Sequence, residues 1–116
     1  MAMFRAVNPD VQFLFMTNND SYYKRRYPNQ NIFKVQKAMW NLAKESNGAY
    51  WDLFEIMGGL NSIRLWERAG LAQRDKVHFT RKGYHLNADL LFVAFRDAYG
   101  DHLAHKYYTP TISAEN

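Results

Sequence analysis

Asp75-Lys76-Val77-His78-Phe79-Thr80-Arg81-Lys82-Gly83-Tyr84 is the stretch on which the reading of this chain turns. A carboxylate and an imidazole stand three residues apart, in a segment without clear periodicity and just before an apolar helical pattern. Across a single turn the two can meet. The carboxylate would accept the hydrogen bond from the ring Nδ1–H and leave Nε2 facing outward as a base. That is the acid–base half of a Ser-His-Asp triad. The same spacing also suits a loop aspartate that caps nearby amides beside a partly exposed histidine, and spacing alone does not separate the two.

Downstream, Thr80 can cap a helix running from Arg81 or Lys82 to about His105. Leu86, Leu90, Val93, Ala94 and Asp97 form one stripe, widened by Leu91, Phe92, Phe95 and Ala98. Residues 107–116 read as a flexible tail, with Pro110 barring continuation. Upstream, Asn8-Pro9-Asp10 marks a turn, and the apolar run Val11-Gln12-Phe13-Leu14-Phe15-Met16 suits a strand buried on both faces of a parallel sheet. Polar Thr17-Asn18-Asn19-Asp20-Ser21 ends it and opens a loop reaching Asn29. From Gln30 to about Ser46, Ile32, Val35, Met39, Leu42 and Ala43 share a helical face, and Asn47-Gly48 is a natural C-cap. Residues 49–54 form a second short strand, Met57-Gly58-Gly59 breaks the chain, and residues 60–69 form a short helix stopped by Gly70. Strand, helix, strand, helix, helix is an α/β order. Two strands make a poor sheet, so something should complete it.

Composition sets the outer limits. The chain has 116 residues, 47% of them hydrophobic and 16% aromatic, which is a single small domain with material for a core. It has no cysteine, so disulfides, thiolate metal sites and a cysteine nucleophile are excluded. No apolar run is long enough to span a bilayer. Met1-Ala2-Met3-Phe4-Arg5 lacks the pattern of an export signal. The net charge of +4 permits anionic partners without requiring them.

Asp-x-x-His-Phe-Thr, the following Gly-Tyr and the apolar helix behind them resemble the last sequence block of the SGNH (GDSL-type) esterase and acylhydrolase family. Further upstream, the strand ending in Thr17-Asn18-Asn19-Asp20-Ser21-Tyr22, the long helix, Trp51-Asp52-Leu53-Phe54 and Met57-Gly58-Gly59 resemble the C-terminal half of these enzymes, especially bacterial carbohydrate and peptidoglycan O-acetylesterases. The resemblance covers about residues 10–100. It implies part of a three-layer α/β/α sandwich of flavodoxin-like type with an incomplete parallel sheet. It also implies catalytic roles for Asp75 as orienting carboxylate and His78 as general base. The family's Gly-Asp-Ser nucleophile motif and its Gly-x-Asn-Asp block are not in this sequence. Asn19-Asp20-Ser21 imitates the former, but it lacks the glycine and lies too near Asp75 for the intervening strands, so Ser21 reads as a loop serine.

The chain is therefore expected to be the C-terminal portion of a serine esterase acting on carbohydrate-type esters such as acetyl esters, inactive or nearly so by itself. The resemblance implies no metal or organic cofactor. It implies an ester substrate and, as partner, a missing N-terminal half of the enzyme or a second copy. Family members are often periplasmic or secreted. The alternative is a non-catalytic interaction module that uses its basic tyrosine-rich loop or an open sheet edge. That loop, Tyr22-Tyr23-Lys24-Arg25-Arg26-Tyr27, interleaves bases with aromatics as single-stranded nucleic-acid surfaces do, yet one hexapeptide more often is a solvated loop, and no nucleic acid is expected. In the family reading Asn18, Asn19 and Tyr22 lie beside the catalytic end of the sheet and are candidate substrate contacts. His102 and His105 stand one turn apart without a third ligand, so no metal is expected there. Trp40, Trp51 and Trp66 are core candidates first.

Overall fold

Three apolar residues on each of two segments pair as a parallel ladder: Leu14, Phe15 and Met16 register with Ala49, Tyr50 and Trp51. In the computed structural model, which describes residues 1–107, these are β1 (Leu14–Met16) and β4 (Ala49–Trp51). Parallel pairing needs a crossover, and α2 (Ile32–Ser46) supplies it. The expected cap ends that helix: Asn47 is left-handed at φ 53°, and the Gly48 N–H donates to the Ala43 carbonyl. Gly48 is needed for closeness, since a Cβ there would lie 2.8 Å from the Phe13 carbonyl oxygen.

The chain divides into two compact units, Met1–Gly83 and Tyr84–Asn116. In the first, α1 (Ala2–Val7), which no sequence pattern indicated, precedes the expected turn at Asn8-Pro9-Asp10 and then β1. All of its residues are exposed, and it is tied down by Arg5, which donates to the Ser46 carbonyl, and by an edge-on Phe4–Phe13 contact. The tyrosine-rich segment, read as a loop, forms a small antiparallel pair of β2 (Tyr22–Tyr23) and β3 (Tyr27–Pro28). Its turn places Lys24 and Arg25 at positive φ, a conformation no local signal announced. After β4 come α3 (Leu53–Met57) and α4 (Ser62–Arg68), then an irregular segment closed by an Ala72–Phe79 bridge. The second expected strand is thus cut short, because Asp52 caps α3 instead of extending β4.

Ile32, Ala43, Trp51, Leu53, Phe54, Met57, Ile63, Trp66, Ala72 and Phe79 form the core. Phe54 and Ile63 are completely enclosed, and truncating Phe54 to Ala should cost about 3–5 kcal/mol. Of the three tryptophans Trp51 and Trp66 are buried, whereas Trp40 is half exposed against Tyr50. The apolar run before Thr17 pairs in parallel as expected, but it is not buried on both faces: Leu14 and Met16 are 38% and 42% exposed. The cause is physical. A two-stranded sheet can cover only what its few neighbours reach.

The last helix, α5 (Arg81–Tyr107), starts where Thr80 was expected to cap it, with the Gly83 N–H donating to Thr80 Oγ1. Gly83 is buried, and a Cβ on it would fall 1.9 Å from the Leu71 carbonyl oxygen, so only glycine fits. Within the second unit Phe92, Phe95 and Tyr99 are exposed, so the broad apolar stripe is not enclosed there. Most of the expected tail lies outside the described residues. Small parallel and antiparallel sheets with helices make an α/β arrangement. No described helix is long and apolar enough to cross a membrane.

Candidate active site

The Asp75 carboxylate is held by its own turn. Its Oδ1 accepts from the backbone N–H groups of Val77 and His78 at 2.9 and 3.0 Å. This is the aspartate's usual local bonding, and it requires Lys76 to adopt φ 56°. Asp75 Oδ2 lies 2.6 Å from His78 Nδ1. With the proton on Nδ1 the ring donates to the carboxylate, and Nε2 remains free to accept. The hydrogen bond from His78 lowers the Asp75 pKa most, the two amides add to it, and together they hold it at about 2 against an ordinary 3.8. The carboxylate is therefore ionised at neutral pH. His78 is open to solvent, with its side chain 62% exposed.

Long-range bonds keep this loop in place. The Asn19 amide Nδ2 donates to the Val77 carbonyl at 2.9 Å, and the Tyr22 N–H donates to the Lys76 carbonyl at 2.8 Å. Lys76 pairs with Glu67 at 3.0 Å. Gln73 bonds the loop to itself, through its N–H to the His78 carbonyl and its side chain to the Phe79 carbonyl. Phe79 is buried against Trp66 at 5.2 Å. These contacts fix the position of the backbone on either side of the imidazole.

Of the residues singled out from sequence, Asp75 and His78 meet. Asn19 and Tyr22 bind the loop that carries them, in a supporting position. The Tyr22 hydroxyl also donates to Asn61 Oδ1 at 2.6 Å. Asn18 is exposed. Ser21 is half-buried, its carbonyl accepts from the Asn29 N–H, and it makes no hydrogen bond to His78. His105 Nδ1 lies 3.0 Å from the Asp101 carbonyl oxygen.

Sequence reasoning missed two aspartates. Asp52 Oδ1 accepts from Thr17 Oγ1 and the Glu55 N–H, while Oδ2 accepts from Gln36 Nε2 and the Tyr50 hydroxyl. Burial acts to raise its pKa, but the bonds from Tyr50, Gln36, Glu55 and Thr17 outweigh it and hold the group ionised. Burial, and then that carboxylate, push the Tyr50 phenol up, so it stays a donor. Asp52-Leu53-Phe54-Glu55 has the spacing of a helix start, a signal that would have revealed the cap but not its distant partners. Asp20 is fully buried and accepts from the Ile63 N–H at 3.0 Å. Burial raises its pKa against the opposing backbone amides of Ile63, Ser21 and Asn61.

No protein-family profile and no curated protein matches the chain. Among solved structures it is similar to a peptidoglycan O-acetylesterase, with a TM-score of 0.76 and 24% identity, covering 84% of this chain. It spans 29% of that structure's length. The likeness is one of fold: the chain is folded like part of that structure.

Proposed function

We propose that this chain is the C-terminal part of an SGNH (GDSL-type) serine esterase, supplying the acid–base half of its triad. The observation that carries this reading is the 2.6 Å Asp75–His78 pair with Nε2 turned outward and the carboxylate anchored on two amides. In the complete enzyme His78 takes the proton of the serine hydroxyl as it attacks the ester carbonyl. It then protonates the leaving alcohol, and it activates water to release the acyl group. Asp75 holds the tautomer and stabilises the imidazolium. The serine and the oxyanion donors come from a segment with Gly-Asp-Ser that completes the parallel sheet into an α/β/α sandwich. The open β1 side, with Leu14 and Met16 exposed, supports such completion. The likeness to a peptidoglycan O-acetylesterase favours acetyl esters of carbohydrates as substrates.

The test is complementation. Residues 1–116 alone should hydrolyse p-nitrophenyl acetate no faster than buffer. Addition of a separately expressed Gly-Asp-Ser segment from an esterase of this family should create turnover that His78→Ala abolishes. Robust turnover by the chain alone that is lost in Ser21→Ala would overturn the assignment of the nucleophile to another segment.

A further inference from the structure

Beside the support of the Asp75–His78 loop lies an open cavity of about 300 Å³, which the triad chemistry does not use. Its wall includes Leu60, Asn61, Ser62, Arg64, Leu65 and Arg68. Arg64 and Arg68 stand one turn apart on α4, which puts both guanidinium groups on the same side of the helix. Both residues are exposed, and neither guanidinium makes an ion pair or hydrogen bond among the described residues. The acid between them in sequence, Glu67, is engaged by Lys76. Ser62 is 3% exposed, and its Oγ has no hydrogen-bond partner. Buried hydroxyls are normally satisfied, so this enclosed one is an unmet polar group just behind the cavity wall. Asn61, held at φ 72°, accepts from the Tyr22 hydroxyl through Oδ1, which leaves its amide Nδ2 to donate. The wall is thus rich in donors and cations, with Leu60 and Leu65 as its apolar part.

From this we infer that the cavity binds the carboxylate of an acidic sugar. Arginines recognise carboxylates with paired, planar hydrogen bonds, and the leucines suit the carbon face of the ring. The volume is at the small end for ligand cavities and holds one sugar unit. The cavity is wired to the catalytic loop: Asn61 bonds the Tyr22 hydroxyl, and the Tyr22 N–H bonds Lys76, two residues before His78. The inference deepens, and rests on, the reading of the chain as part of a carbohydrate esterase: the substrate is an ester of an acidic rather than a neutral glycan.

The experiment is a chemical-shift titration of the full chain with glucuronate, glucose and acetate at low salt. Glucuronate should produce saturable shifts at Asn61, Ser62, Arg64 and Arg68, while glucose, which has a neutral hydroxymethyl group in place of the carboxylate, should not. The double variant Arg64→Ala/Arg68→Ala removes exposed side chains and should fold. It should weaken glucuronate at least tenfold. Raising the salt tenfold should also weaken it, as for any partly exposed ion pair. Equal response to glucose, absence of saturable shifts, or unchanged affinity in the double variant overturns the site. Acetate binding as tightly as glucuronate overturns the sugar assignment. Because binding and not turnover is read, failure here is separate from failure of the triad reading.

Discussion

Asp52 and Asp75 begin alike and end differently. Each accepts from a backbone N–H three residues ahead, Glu55 for one and His78 for the other. Asp52 gives its remaining capacity to Thr17, just after β1, to Gln36 of α2 and to Tyr50 of β4, which close around it. Asp75 gives its second oxygen to an imidazole that is open on its far side. The first carboxylate is a rivet between elements. The second, in the function proposed above, orients a base. What separates structure from chemistry here is the partner's remaining freedom, since both carboxylates have lowered pKa values.

The contrast can be broken most sharply by activity. In the complemented enzyme Asp75→Asn should lower turnover roughly 10³–10⁴-fold, the scale of losing a triad carboxylate. Asp52→Asn should change it less than about tenfold, because no reacting group touches Asp52. Equal losses would erase the distinction. Stability should show the reverse order. Asp52→Ala strands four donors and should cost about 2–4 kcal/mol in urea unfolding. Asp75→Ala leaves groups that water can reach and should cost about 1 kcal/mol.

Acid titration sharpens the comparison further. The folded Asp75 pKa lies below its ordinary 3.8, so its contribution to stability is present above that value. It is lost as the pH falls through about 2. The carboxyl carbon resonance of Asp75 should therefore titrate near pH 2 and move up toward the ordinary value in His78→Ala. A midpoint that ignores His78 would show that the ring does not hold the carboxylate. The smallest expected effect is on the stability of His78→Ala at neutral pH, within about 0.5 kcal/mol of the parent, because the ring is exposed.

How much was legible in advance follows from sequence separation. Asp75 and His78 are three residues apart, and one turn brings them together whatever the rest of the fold does. The face of α2, its Asn47 cap and the Thr80 cap are local in the same way. Hydrophobic period and capping chemistry act over a few residues, so a single chain read in order reveals them. The shortening of the second strand was missed because the Asp52 cap competes with strand continuation, and its advantage comes from Thr17, 35 residues away.

The remaining features depend on pairs that no local pattern connects. Asn19 meets Val77 across 58 residues, Asp20 meets Ile63 across 43, and Tyr22 meets Asn61 across 39. Each is an ordinary polar residue in a loop or turn, with hydrogen bonds that many partners could satisfy. Which partner it finds depends on how β1, β4 and the helices after them pack, and packing is a property of the whole folded unit. The Asp75–His78 pair is therefore written in ten consecutive residues. Its support, and the cationic cavity joined to it through Tyr22, exist only because distant segments are folded against one another.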